Sequence, residues 1–309
     1  MPFDATTSRT DHWLADAVDD LARVRDRAAP AVRRRLDEAL GRLAGMNGAR
    51  DLRDAFTRPA TTPFVALVDA CAGDLGLAGD PRVALLGRST VLGYAYVRVQ
   101  DDLVDEPDRV DRASVYAAEA LLAEHLRLFA RAAPGAEAFA LRSDIMARFA
   151  DVAAGEVDAR GAAVDDHDLG WMGVKFLPMA VPLAAMAALA GSGAAGELVE
   201  FVREVGTALQ LVNDVYNAPD DAAGGRVTPL LQWLAAEGVD PRDPQLRARL
   251  FASAALARTL DEARRAADAA SRRARDAGLP RLVAVAAQAR AMVDRCPERL
   301  CRLMLGAPV

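Results

Sequence analysis

The sequence predicts an all-α protein, one helical domain spanning residues 1–309. Three observations lead there. Ala, Leu, Arg, Asp and Glu dominate a chain that is 52% hydrophobic and only 5% aromatic, which favours helix over sheet and supplies a large core. Long stretches of helical periodicity follow one another with only short Gly, Pro or Asp breaks between them. No run of alternating residues reads as a strand, and neither an internal repeat nor a Gly/Ser linker divides the chain.

Taken in order, the helices fall near 10–45, 63–76, 81–106, 112–132, 136–160, 168–190, 195–218, 228–236, 243–277 and 280–304. Within 81–106, the stretch VALLGRSTVLGYAYVRV (83–99) is apolar on most faces, as is LVEFVREVGTALQLV (198–212) within 195–218. Helices apolar nearly all round belong at the centre of a bundle. The helix at 168–190 includes the longest apolar run, 176–191, which contains Pro178 and Pro182. That run is shorter than the roughly 18–20 residues of a membrane span, so no transmembrane segment is expected. The helix at 195–218 should end or kink at Pro219, which lacks an N–H and restricts Ala218, leaving Asp220 and Asp221 at the break. The stretch 243–277 carries wide Arg/Asp/Glu faces and should coat the outside.

Bulk properties narrow the function. A net charge of −6 argues against a nucleic-acid partner, because phosphate backbones demand clustered positive charge. It leaves room for a phosphorylated small substrate held through bound cations. Cys71, Cys296 and Cys301 form neither a C-x-x-C pair nor a disulfide framework, and the N-terminus shows no basic head followed by an apolar stretch. A cytoplasmic protein without a signal peptide is the expectation.

Each of the two apolar helices ends in a polar cluster. The first reads Arg98-Val-Gln-Asp101-Asp102-Leu-Val-Asp105-Glu106. At 100° per residue, Asp101 and Asp105 project from one face a turn apart, with Asp102 beside them. Acids at a helix end are commonly a solvated surface. These follow a buried stretch, however, and sit at the C-terminal end, where the macrodipole disfavours negative charge by roughly 0.3–1 kcal/mol each. A bound cation would explain them. The second cluster reads Gln210-Leu-Val-Asn213-Asp214-Val-Tyr-Asn217-Ala-Pro-Asp220-Asp221, with Asn213 and Asn217 on one face and Asp221 four residues on. An ordinary loop start would also account for it. Together, two oxygen-rich helix ends facing one cavity suit a hard divalent ion, since Mg²⁺ typically takes one or two carboxylates plus substrate phosphate. Such a cluster turns diphosphate into a good leaving group.

DDLVDE resembles the aspartate-rich motif of class I isoprenoid synthases, and its setting, YAYVRVQDDLVDEP, is similar to the first motif of squalene and phytoene synthases. GTALQLVNDVYN resembles the second aspartate-rich helix of trans-prenyl diphosphate synthases, with Asn213 and Asn217 replacing aspartates. Read as NDVYNAPDD, it also resembles the metal triad of terpene cyclases, in which Asn213, Asn217 and Asp221 fall in register. GGRVTPL (224–230) looks like the Gly-Arg segment of phytoene synthases, and WMGVKFLPMAVPLAAMAALAG resembles the prenyl-synthase helix whose lysine contacts diphosphate. The resemblance covers residues 80–235. It implies a helical bundle around a central apolar cavity, Mg²⁺ held by Asp101, Asp105, Asn213, Asn217 and Asp221, with Asp102 beside them in the catalytic set. It further implies an allylic prenyl diphosphate substrate, contacted by Lys175 (the only lysine), Arg98 and Arg226. Such folds are compatible with a homodimer.

Departures set the preference among reactions. No Gly-Gly-Lys-Arg segment is present near Arg33, Arg34 and Arg35, and no Arg-Arg-Gly follows the first motif. Those groups help chain-elongating synthases hold two diphosphates. The expectation is therefore a terpene synthase that ionises a single allylic diphosphate. A prenyltransferase, elongating or of the squalene/phytoene type, is the alternative, and a silent helical partner of a synthase is the third. Glu156, in a Gly-Glu-Val-Asp segment similar to a prenyl-synthase Gly-Gln-x-x-Asp, is read as part of a solvated helix face. Tyr94, Trp171, Phe176 and Tyr216 are read as core packing before cation stabilisation.

Overall fold

Apolar helices with few polar interruptions have to pack on one another, and that packing is what the computed structural model displays. It describes residues 7–45, 48–57, 62–105, 110–158 and 169–304, and among them it has fourteen α-helices and no strand. These are α1 (Thr7–Arg27), α2 (Pro30–Gly45), α3 (Leu52–Thr57), α4 (Thr62–Asp74), α5 (Pro81–Asp105), α6 (Val115–Ala132) and α7 (Ala136–Asp158). They continue with α8 (Gly170–Val174), α9 (Val181–Leu189), α10 (Ala195–Ala223), α11 (Pro229–Ala236), α12 (Leu246–Phe251), α13 (Ala254–Asp276) and α14 (Pro280–Met304). No described helix is long and apolar enough to cross a membrane.

The expected boundaries give way in four places, each for a local reason. The helix expected over 10–45 divides ahead of Pro30, whose fixed φ and missing N–H suit the first turn of α2. The stretch 168–190 becomes α8, a 3₁₀ turn over Leu177–Ala180 and α9, because Pro178 and Pro182 remove donors that one continuous helix needs. The stretch 243–277 divides at Ser253, which caps α13 by accepting from the Leu256 N–H at 3.1 Å.

The fourth place is Pro219, where the expectation is corrected. The helix does not break there; α10 runs on to Ala223 and carries Asp220 and Asp221 on regular turns. The true stop is Gly225, whose φ of +69° is reached without a Cβ penalty. Arg226 N–H then donates to the Asp221 carbonyl at 2.9 Å, and Gly225 N–H to that of Ala222 at 3.2 Å, the two bonds of a Schellman cap. Thr228 caps α11 through the Leu231 N–H at 3.3 Å, with Pro229 in the first turn. The segment GGRVTPL is thus a helix stop followed by a helix start.

The helices group into two compact units, one of Met1–Ser143 with Pro178–Gly196, the other of Asp144–Leu177 with Glu197–Val309. Neither is a contiguous stretch of sequence. In the first, α5 packs against α6, α1, α4, α9 and α2, and from Val83 to Gln100 none of its residues is exposed. Its tie to α1 is ionic as well as apolar: Asp20, fully buried, accepts from Arg88 Nε at 2.6 Å and from Arg88 Nη2 at 3.0 Å. In the second, α10 buries Ala208, Leu211, Val212, Val215 and Ala218 in one core with residues of α11, α12, α13 and α14. The helix α13 presents Leu256, Leu260, Ala263, Ala267, Ala270 and Ala274 inward, one stripe at helical spacing, and its charged residues coat the other faces as expected. All three cysteines are free thiols.

The first unit contains a buried acid-sensitive point. His125 Nδ1–H donates to the Ser89 carbonyl at 2.8 Å, which leaves Nε2 to accept from Arg142 Nε at 3.4 Å. Burial first, and the Arg142 charge in addition, bring its pKa down to about 4 despite the Ser89 bond. A depressed folded pKa means the unfolded chain takes up the proton first, so this part of the stability is present at pH 7 and lost as pH falls through the window from about 6.5 to 4. We expect a loss of about 2 kcal/mol between pH 7 and pH 5 from this group alone. Urea unfolding at the two pH values should show it, and His125→Gln should flatten the slope. An unchanged slope in that variant would assign the acid sensitivity elsewhere.

Candidate functional site

Each unit carries one of the clusters expected from sequence. In the first, α5 delivers Asp101 and Asp102 at its last turn, and the two differ sharply in surroundings. The Asp102 side chain is 16% exposed; its Oδ2 accepts from Arg42 Nε at 2.9 Å and its Oδ1 from Arg98 Nη2 at 3.0 Å. Asp101 is 51% exposed and pairs with Arg98 Nη1 at 2.6 Å. Arg98, expected on diphosphate, is thus the counter-ion of its own motif in this structure. Asp105 closes α5, but its side chain lies outside the described residues, as do Glu106 and Asp108.

In the second unit, α10 places Gln210, Asp214, Asn217 and Asp221 along one side, with Asn213 exposed at its edge. Asp214 is the residue that sequence reading passed over. It is 2% exposed; Oδ1 accepts from Gln210 Nε2 at 2.8 Å, while buried Oδ2 has no partner. Burial, outweighing the Gln210 bond, pushes its pKa up to about 7, with Asp221 and Glu156 adding to the rise and Lys175 opposing it. Asp221 is buried and forms an ion pair with Arg226, whose Nε lies 3.4 Å from Oδ1. The second cluster therefore repeats the first: its arginine also lies on a carboxylate of the same motif.

Lys175 meets α7 here. Its Nζ lies 2.7 Å from Glu156 Oε2, with both side chains about one-third exposed. Glu156, expected on a solvated helix face, is partly exposed there and pairs with the lysine. Two glycines set this geometry. A Cβ on Gly173 would stand 1.9 Å from the Arg203 carbonyl oxygen, and one on Gly206 would stand 2.7 Å from the Phe176 side chain. So α8 rests directly on the backbone of α10, and Phe176 fills the notch at Gly206. Trp171 and Tyr216 pack on the core of this unit, and Tyr94 meets Phe56 edge-on at 5.7 Å in the other.

The donors on α5 and those on α10 are, each within its own unit, carboxylate and amide oxygens, the class that Mg²⁺ prefers, and the unpartnered Asp214 oxygen is the kind of buried acceptor that a cation satisfies. Among the described residues, no three His, Cys, Asp or Glu side chains are by themselves grouped closely enough to hold one.

Solved structures share this fold. A polyprenyl synthase from Caulobacter crescentus, complexed with calcium and isoprenyl diphosphate, is 18% identical at a TM-score of 0.68 over 93% of this chain and 98% of its own. A geranylgeranyl pyrophosphate synthase from Corynebacterium glutamicum, also with calcium and isoprenyl diphosphate, is 19% identical at 0.69 over 95% and 97%. A decaprenyl diphosphate synthase from Rhodobacter capsulatus is 18% identical at 0.68 over 95% and 99%. No family model matches the sequence, and no curated protein matches it. The fold is the one these prenyl synthases share, all-α as the sequence predicts.

Proposed function

We propose that this chain is a metal-dependent isoprenoid synthase that ionises an allylic prenyl diphosphate and transfers the prenyl group to an acceptor. The observation that carries the reading is the oxygen-rich side of α10, where the buried carboxylate of Asp214 lacks a partner on one oxygen and feels the charge of the only lysine. Asp101 and Asp105 on α5, and Asn213, Asn217 and Asp221 on α10, are the residues proposed to hold Mg²⁺. We take residues 1–309 as a single catalytic domain, as the sequence predicts. When bound, Mg²⁺ neutralises the charge that develops on diphosphate as the C–O bond breaks. Lys175 keeps one N–H on Glu156 and has two left to steady the departing oxygens. The bonding electrons leave with diphosphate, and in a transfer an acceptor alkene closes on the allylic carbon and then loses a proton.

Prenyl transfer moves ahead of the terpene synthase reading because the solved structures with this fold named above are prenyl diphosphate synthases along nearly their whole length. One observation still favours cyclisation: α10 passes through Pro219, so Asn213, Asn217 and Asp221 keep the regular helical spacing that a cyclase-like triad needs. Incubation with C10, C15 and C20 allylic diphosphates, with and without isopentenyl diphosphate, separates the two. We expect diphosphate release that requires Mg²⁺, stops with excess EDTA and gives a longer prenyl chain. A hydrocarbon or terpene alcohol from one allylic diphosphate alone would install the cyclase reading, and full turnover in EDTA would remove both.

A further inference from the structure

We infer that Arg42 is a positioning residue, which holds Asp102 away from the ion and so leaves Asp101 as the carboxylate of that adjacent pair presented to a divalent cation. The inference rests on the metal-dependent reading above. Both oxygens of Asp102 already accept from guanidinium groups, Oδ2 from Arg42 at 2.9 Å and Oδ1 from Arg98 at 3.0 Å. A carboxylate neutralised in this way is a poor metal ligand, since a cation would have to displace two charge-assisted bonds. Asp101, 51% exposed against 16% for Asp102, is the accessible member.

Arg42 comes from α2, 60 residues away in sequence, so its bond ties the end of α5 to another helix. A cavity of 140 Å³ opens beside the bond, lined by Ala39, Leu40, Leu43, Ala95, Val99 and Leu121 together with Arg42, Arg98 and Asp102. Without Arg42, Asp102 is free to compete with Asp101 for Arg98 and for the cation.

The test reads metal binding directly, as the rise in melting temperature with Mg²⁺ at fixed inorganic diphosphate. For Arg42→Met we expect the Mg²⁺ concentration at half-maximal stabilisation to fall about tenfold, the scale on which groups behind the ligands tune a metal site, because an Asp102 oxygen is released to the cation and a positive charge beside it is lost. Arg42→Lys, which keeps the charge and tests against simple misfolding, should undo part of that fall. A purely structural role would lower the baseline melting temperature and leave the half-saturation point where it was, and that result overturns the inference. Because Arg42 acts chiefly through Asp102, adding Arg42→Met to Asp102→Asn should shift half-saturation much less. An equal shift in both backgrounds would mean that Arg42 acts on the bound ion or ligand directly, and would also overturn it. If the wild-type protein gains no stability from Mg²⁺ and diphosphate at any concentration, the metal-dependent reading falls and takes this inference with it.

Discussion

Gly173→Ala is expected to lower the stability of the chain by about 3 kcal/mol, the upper part of the range for overpacking a closely fitted site. The added methyl would stand 1.9 Å from the Arg203 carbonyl oxygen and 2.4 Å from Thr207 Oγ1, and neither can yield cheaply. The carbonyl belongs to the rigid backbone of α10, and Thr207 Oγ1 donates to that same oxygen at 2.9 Å. The helix α8 would have to lift away, and Lys175, two residues on, would leave its seat against Glu156. Gly206→Ala should destabilise as well, because its methyl would stand 2.7 Å from Phe176 Cβ and Cγ, and a Cβ moves only with its own backbone. Gly155→Ala serves as the control of opposite sign. That glycine lies within α7 with nothing near its absent Cβ, so alanine should stabilise by up to about 1 kcal/mol through helix propensity. Urea titration gives all three as midpoint shifts at constant slope. A Gly173→Ala protein as stable as wild type would show that α8 does not rest on α10.

The central helices were legible because their signal is local. A run such as 83–99 can only be buried, and the acids that follow it at helical spacing announce themselves. What escaped was set by tertiary context. Asp214 sits between Asn213 and Tyr216 with nothing in the sequence to say that it is the buried member, since the roll of α10 is decided by the helices packed on it. Pro219 was read as a break from its chemistry alone; the helix survives because Val215, Ala218 and Asp221 are buried around it and Gly225 supplies a proper cap further on. Arg42 was invisible for the plainest reason: its partner Asp102 is 60 residues away, and periodicity within α2 does not tell which of its arginines meets α5. Glu156 carries no local signal of its pairing, because its partner Lys175 comes from a later segment of the chain.

Asp101→Ala is expected to slow diphosphate release by about 10²–10³-fold, the scale seen when a group that stabilises developing charge is removed, while leaving stability within about 1 kcal/mol. The two halves of that expectation come from the same facts. Asp101 is half exposed and its pairing with Arg98 is a surface ion pair, worth little to the fold. It also stands in the last turn of α5, which contains no basic residue, where the helix dipole opposes a negative charge. Alanine should therefore relieve a small electrostatic cost in the helix even as it removes a proposed ligand. Asp108→Ala, beyond the motif and Pro107, removes an equal charge from the same stretch of sequence and should change the rate less than twofold. Asp101→Asn separates charge from shape: an amide oxygen can still ligate but neutralises nothing, so its rate should fall close to that of the alanine variant. If Asp101→Ala kept half of the wild-type rate of diphosphate release, the acidic end of α5 would be an ordinary solvated helix end after all.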